Sequence, residues 1–238
     1  MKIKLIVMLC LGWLLTPMTW AVTALGEHTM AVAQSMSAFY MVSLSDGDTR
    51  YEKEFERYAN QAEAHLANID NKAVATELDN AWSRLRRNLQ FDYMGGAGLT
   101  VASSVRTQYR EYLSKAYRYW LQQLEQEPSP ERQLEIVNIR AEVISARYFD
   151  VTSTIQTKQD TSGLADVNPT AEAEALMTNL KQLEQVDGLS VGAKALQNVQ
   201  KKWDFMQKAL ANYQERGAYF LLYYNKNQIN KQLTSKSS

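Results

Sequence analysis

Few side chains in this sequence are equipped for chemistry. The histidines are His28 and His65, and the single cysteine is Cys10. A structural zinc site needs about four Cys, His or carboxylate ligands set close together, and this set is too small and too scattered. The di-iron bundle pattern Glu-x-x-His is missed, because Glu63 stands two residues before His65 rather than three. Met30, Met36 and Met41 follow His28 along one stretch, so a haem held by His and Met is one reading. Methionine as core filler is the other, and no cofactor is expected. The loop Asp92 to Gly98 is glycine-rich, yet no lysine follows at the P-loop spacing, so it reads as a hairpin needing positive φ. No nucleophile elbow or Ser-His-Asp order stands out, and enzymatic activity is not expected.

Two arginines and three tyrosines carry more. Arg140 and Arg147 are seven apart, two helical turns along one face, with Ile144 and Tyr148 nearby. A guanidinium leaning inward needs a negative partner. That partner is either an internal acid, Glu142 or one on a neighbouring helix, or a small exogenous anion clamped between helices. These two arginines are the candidate ligand-binding residues. Tyr219, Tyr223 and Tyr224 crowd one short stretch and cover a broad arc. They read either as core with hydroxyls at the surface or as an aromatic patch for a protein partner. Arg84, Arg86 and Arg87 read as a solvated face.

The elements that must position these residues are helices. Apolar residues recur in steps of three and four from Glu27 to Ser43, Tyr51 to Ile69, Val74 to Leu89, Leu99 to Glu127 and Pro130 to Ile155. They do so again from Asn168 to Asp187 and from Ser190 to about Leu233. Seven helices result, the last spanning Ser190 to Leu233 as one long rod capped by Ser190, with the shorter ones laid against it. Ser129 is placed to cap the helix that Pro130 opens. Gln156 to Asn168 is polar and reads as an exposed connection. Of the 10 glycines only Gly217 falls deep inside a periodic segment, and no alternating strand pattern appears, so the chain reads as an all-α antiparallel bundle.

The N-terminus reads as a targeting segment. Lys2 and Lys4 precede an apolar run from Leu5 to Leu15, Pro17 breaks it, and small residues allow cleavage after Ala21 or Ala24. Residues 1–24 are then the leader and 25–238 the folded body, with an uncleaved anchor as the alternative. Cleavage removes Cys10, leaving a body without disulfides that relies on packing alone. The 26 basic and 26 acidic residues balance, and the leader takes two lysines and no acid with it. A near-neutral body without a basic block argues against a nucleic-acid partner.

The body also looks duplicated, as units 26–127 and 130–233. Trp82, Leu85 and Leu89 are spaced like Trp203, Met206 and Leu210, and each set follows an amphipathic helix ending in Asp. Trp82 and Trp203 are expected to be buried at equivalent places. On the leader, the opening Gly26-x-x-x-Met30 and the hairpin with a central Trp, the chain resembles the N-terminal sensory domain of type IV pilus methyl-accepting chemotaxis transducers, a relative of nitrate-sensor input domains. That family opens each unit with a stretch like Gly-Arg-x-Arg-Met-Leu-Ser-Gln-Arg. Here Gly26 and Met30 match in the first unit with every arginine absent, and Arg140, Ser145 and Arg147 match in the second. The resemblance implies a periplasmic helical module that senses a small anion or reports through an envelope or inner-membrane partner.

Overall fold

The computed structural model describes residues 23–91, 102–124, 129–156, 169–187, 189–210 and 218–234. Among them are eight α-helices and no strand: α1 Ala24–Leu44, α2 Thr49–Leu66, α3 Lys72–Asn88, α4 Ser103–Gln122, α5 Pro130–Gln156, α6 Pro169–Leu183, α7 Ala193–Leu210 and α8 Ala218–Thr234. The chain is an all-α helical bundle, as its periodicity requires. Residues 1–22 of the leader, the loop Asp92 to Gly98 and the connection 157–168 lie outside the described residues.

Helix starts follow capping chemistry. The side chains of Thr23, Asp48 and Asn71 each accept from backbone N–H groups in the first turn of α1, α2 and α3. The Ser129 hydroxyl accepts from Arg132 N at 3.2 Å at the head of α5, as expected. Thr23 caps α1 and Ala24 is its first residue, so cleavage after Ala21 would keep the whole capped helix whereas cleavage after Ala24 would remove its cap.

The long terminal helix is corrected. Lys202 Nζ donates to Asn225 Oδ1 at 3.5 Å, whereas 23 residues of continuous helix would separate them by roughly 35 Å. Residues 190–233 are therefore not one rod: α7 and α8 lie side by side. α7 starts at Ala193, where the Gly192 carbonyl accepts the first helical bond, so Ser190 is not its cap.

The eight helices form two four-helix rings of the same path. In each, the first helix packs on the second and fourth, and the third packs on the second and fourth. The pairings in the first ring are antiparallel: His28 meets Ala62 and Tyr112, Ser35 meets Tyr109, and Asn88 meets Gln108. Trp82 and Trp203 are both buried on the third helix of their ring, and each indole N–H donates back to the second helix. Trp82 reaches Glu63 Oε1 at 3.2 Å, and Trp203 reaches the Ala173 carbonyl at 3.0 Å.

The rings are joined through their first helices. Along the join Gly26 faces Glu135 and Ile139, Met30 faces Asn138 and Gln34 faces Glu142, so α1 and α5 run parallel. α1 is buried on nearly every side, with 18 of its 21 residues inaccessible. A helix covered all round cannot present charge, and after His28 it carries none. The centre of the molecule is therefore α1 against α5, rather than the C-terminal stretch. A side chain at Gly26 would overlap the Glu135 carboxylate and press on Ile139 Cδ1 at 3.1 Å, so this position needs glycine for close helix approach.

Candidate functional site

The seam between α1 and α5 is polar for a buried surface. Three acids of α5, Glu135, Glu142 and Asp150, stand about two turns apart and are all buried. Taking a carboxylate out of water demands a cation or donors close by, and each has them. Glu135 is paired with Arg132 one turn earlier and accepts from Trp120 Nε1 at 3.3 Å; burial nonetheless raises its pKa. Glu142 accepts from Lys226 Nζ of α8 at 2.8 Å and from Gln34 Nε2 of α1 at 3.1 Å. Both charges of that pair are 1% exposed. Between these two levels, Asn230 of α8 donates to Asn138 Oδ1 at 3.3 Å and touches Met30 Sδ.

Asp150 differs, because two guanidiniums meet it. Arg110 Nε donates to Oδ2 at 2.8 Å, and Arg106 Nη1 lies 3.4 Å from Oδ1. Arg106 Nη1 also donates to Ser153 Oγ at 2.7 Å and Thr154 Oγ1 at 3.0 Å. The guanidinium carbon stands 4.9 Å from the centre of the Tyr40 ring. Burial holds the Tyr40 hydroxyl well above its ordinary pKa, so it stays neutral.

Arg140 and Arg147 do come together on one face, around Tyr117 of α4. Arg147 lies over that ring at 5.9 Å, and Arg140 faces its hydroxyl. The acid that meets Arg147 is internal, Glu172 of α6, which was the neighbouring-helix alternative. Arg140 keeps a buried Nε–H without an acceptor.

The three tyrosines of α8 separate. Tyr223 turns inward: it is 4% exposed, its hydroxyl donates to Glu54 of α2, and its ring meets Tyr51 and Phe149. As a residue of an exposed partner face it is corrected. Tyr219 is half-buried against Phe220, whereas Tyr224 is 59% exposed. Its neighbours Phe220 and Leu221 are exposed too, as is Phe205 of α7; no sequence signal pointed to Leu221 or Phe205. Phe205 stands one turn after Lys202 and Leu221 one turn before Asn225, the two residues that meet between α7 and α8. Arg86, grouped with a solvated face, instead pairs with Glu56 and lies over the Phe55 ring at 4.9 Å.

His28 has both ring nitrogens engaged. Nδ1–H donates to the Ala62 carbonyl at 2.8 Å, which leaves Nε2 to accept from the Tyr112 hydroxyl at 2.8 Å. Burial lowers its pKa to about 4, so it is neutral at ordinary pH. No nitrogen is left over for a haem iron, and Met30 Sδ is turned to Asn138 and Asn230 instead. His65 faces Glu27 at 3.1 Å, half-buried. Among the described residues no helix is long and apolar enough to cross a membrane. The chain matches no protein-family model, no curated protein and no solved structure.

Proposed function

We propose that this chain is a non-enzymatic, exported helical-bundle module, sensory or adaptor, that acts through a protein of the cell envelope in type IV pilus or chemosensory signalling. The observation that carries this reading is the exposure of Phe205 on α7 and of Phe220, Leu221 and Tyr224 on the adjoining α8. These are large apolar side chains left in solvent on a bundle that buries Trp82, Trp120, Trp203, Phe39, Phe55 and Phe149 completely or nearly so. The leader supports export, and the matches at Gly26, Met30, Arg140, Ser145 and Arg147 support the signalling context. A photo-crosslinking residue at position 224 should give a covalent adduct with an envelope protein in intact cells. The same probe at Arg87, on the far ring, should not. An F220S/L221S variant should lose the adduct while keeping its helical circular dichroism. Equal labelling from both positions, or adducts with this chain alone, would sink the partner reading.

A second reading, a small-ligand binder using the bundle interior, is favoured by guanidinium N–H groups that are buried without an acceptor, on Arg140 and on Arg106.

A further inference from the structure

The helices that leave large apolar side chains in solvent also carry an uneven charge. Over α7 and α8 the chain has Lys194, Lys201, Lys202, Lys208, Lys226 and Lys231 but no arginine, and Asp204 is the single acid. Three of these lysines are engaged: Lys226 with Glu142 inside the fold, Lys202 with Asn225, and Lys208 with Asp204 at 2.7 Å. The acid is thus already opposite a lysine of its own helix. Lys194, Lys201 and Lys231 are exposed and meet no acid among the described residues.

Helical spacing puts these free lysines on the same sides as the exposed apolar groups. Lys194, Lys201 and Phe205 follow one another at seven and four residues along one side of α7. Leu221, Tyr224 and Lys231 follow at three and seven along one side of α8. Phe205 and Phe220 are 43% exposed, Leu221 55% and Tyr224 59%, while elsewhere among the described residues the exposed large apolar side chains come down to Ile155 at 36%. The first ring differs in sign as well as in polarity. Its outward charges alternate, with Glu56 beside Arg57 on α2 and Lys115 against Glu77 across α3 and α4.

We propose that the exposed sides of α7 and α8 dock an acidic segment of a partner protein. Apolar side chains of that segment cover Phe205, Leu221 and Tyr224, and its carboxylates meet Lys194, Lys201 and Lys231. Apolar anchors supply the affinity of such a contact, and complementary charge around them supplies selection and encounter rate. Gln197 and Gln228 stand within the same two stripes. The acyl layer of a bilayer has nothing to meet their amides, whereas a polypeptide can, so a protein fits this surface better than an anionic lipid does. The docking surface rests on the partner reading and adds the charge of what binds there.

The test uses the photo-crosslinking residue at position 224 in intact cells, with the cross-linked segment of the partner sequenced by mass spectrometry. Asp and Glu should outnumber Lys and Arg in that segment, a readout that needs no further variant. K194E/K201E, at two exposed positions, should lower the adduct yield about tenfold, because like charges brought together at an interface repel. R84E/R87E makes the same change of charge on the first ring and should leave the yield unchanged. Phosphatidylglycerol vesicles should sediment no more of the purified chain than phosphatidylcholine vesicles do. An adduct on a neutral or basic segment, or one that K194E/K201E leaves undiminished, overturns the acidic segment and leaves the partner reading standing. An adduct on lipid alone, with sedimentation by phosphatidylglycerol that K194E/K201E abolishes, puts a membrane surface in place of the protein and overturns both. No adduct at all likewise overturns both.

Discussion

In the first ring Trp82 lies among other rings: His28 edge-on at 6.3 Å between centroids, Tyr109 edge-on at 6.3 Å and Tyr112 tilted at 5.1 Å. In the second ring Trp203 occupies the corresponding place, buried, with its indole N–H on the Ala173 carbonyl at 3.0 Å and no ring contact among the described residues. The backbone path is shared and the glue is not. Aromatic edges and a doubly bonded histidine surround Trp82, whereas the directional contact seen at Trp203 is its bond to a backbone carbonyl. A helical path can thus be kept while its interior chemistry drifts, provided the volume at the key position is held.

Truncation measures the difference most directly. Trp82→Ala and Trp203→Ala should each cost about 3–5 kcal/mol in urea unfolding. Trp82→Ala should be the larger by about 1 kcal/mol, from its lost ring contacts. Equal losses would mean that the aromatic surroundings add nothing beyond area, and a loss under about 1 kcal/mol at either site would end the equivalence of the rings.

The seam offers a comparison of similar size. Lys226→Met strands Glu142 without a cation and should cost about 3–5 kcal/mol, most of it recovered when Glu142→Gln is added. Arg106→Met leaves Asp150 with Arg110 and should cost clearly less. If the two single changes cost the same, the second guanidinium at Asp150 does not compensate for loss of the first.

A pH titration isolates the first ring, which alone contains a buried histidine. His28 ionises near 6.5 when unfolded and at about 4 when folded, chiefly through burial, with His65 adding a little in the same direction. Below 6.5 the unfolded chain takes up a proton that the folded chain refuses. Stability is therefore full above 6.5 and is lost as the pH falls towards 4, by about 3 kcal/mol in all. Against a His28→Gln reference measured over the same window, the wild type should show the steeper decline. Parallel curves would show that the histidine is not neutral in the fold.

The smallest effect tests the join between the rings. Gly26→Ala must push back the Glu135 carboxylate and Ile139, an overpacking cost of about 1–3 kcal/mol. Adding Glu135→Ala should relieve it. A neutral Gly26→Ala would mean that α1 and α5 have slack where they approach each other.

Much of this architecture was readable from spacing, because an amphipathic helix writes its buried stripe into the chain. The six earlier helices fall close to where their periodicity puts them. What periodicity cannot register is a reversal between two helices whose stripes stay in phase, and that is why Ser190 to Leu233 reads as one rod. Gly217, the one glycine inside that pattern, stands immediately before α8 and was the available signal. A helix buried on all sides is equally awkward for a one-face reading. From Thr29 to Ser45 the chain holds no charged residue, and that run marks α1 as the centre better than its methionines do. The seam pairs were out of reach. Arg106 and Asp150 are 44 residues apart, and Gln34 and Glu142 are 108 apart. Which cation meets which acid depends on helix register, about which local sequence is silent. Arg147 shows the other limit: its face was legible, and the acid waiting on it was not.

The parallel join of α1 and α5 also sets the order in which this chain can fold. The groups that cover the seam face of α1 lie about 108 residues downstream, on a helix that cannot form until the first four have emerged. Until then the most apolar helix of the described chain has one side open to water or to other chains. Contacts this distant slow the search for the native state and lengthen the period in which aggregation competes. The first ring, residues 23–124, is thus half of a single cooperative body, and kept apart from α5 it would have Met30 and Gln34 facing solvent.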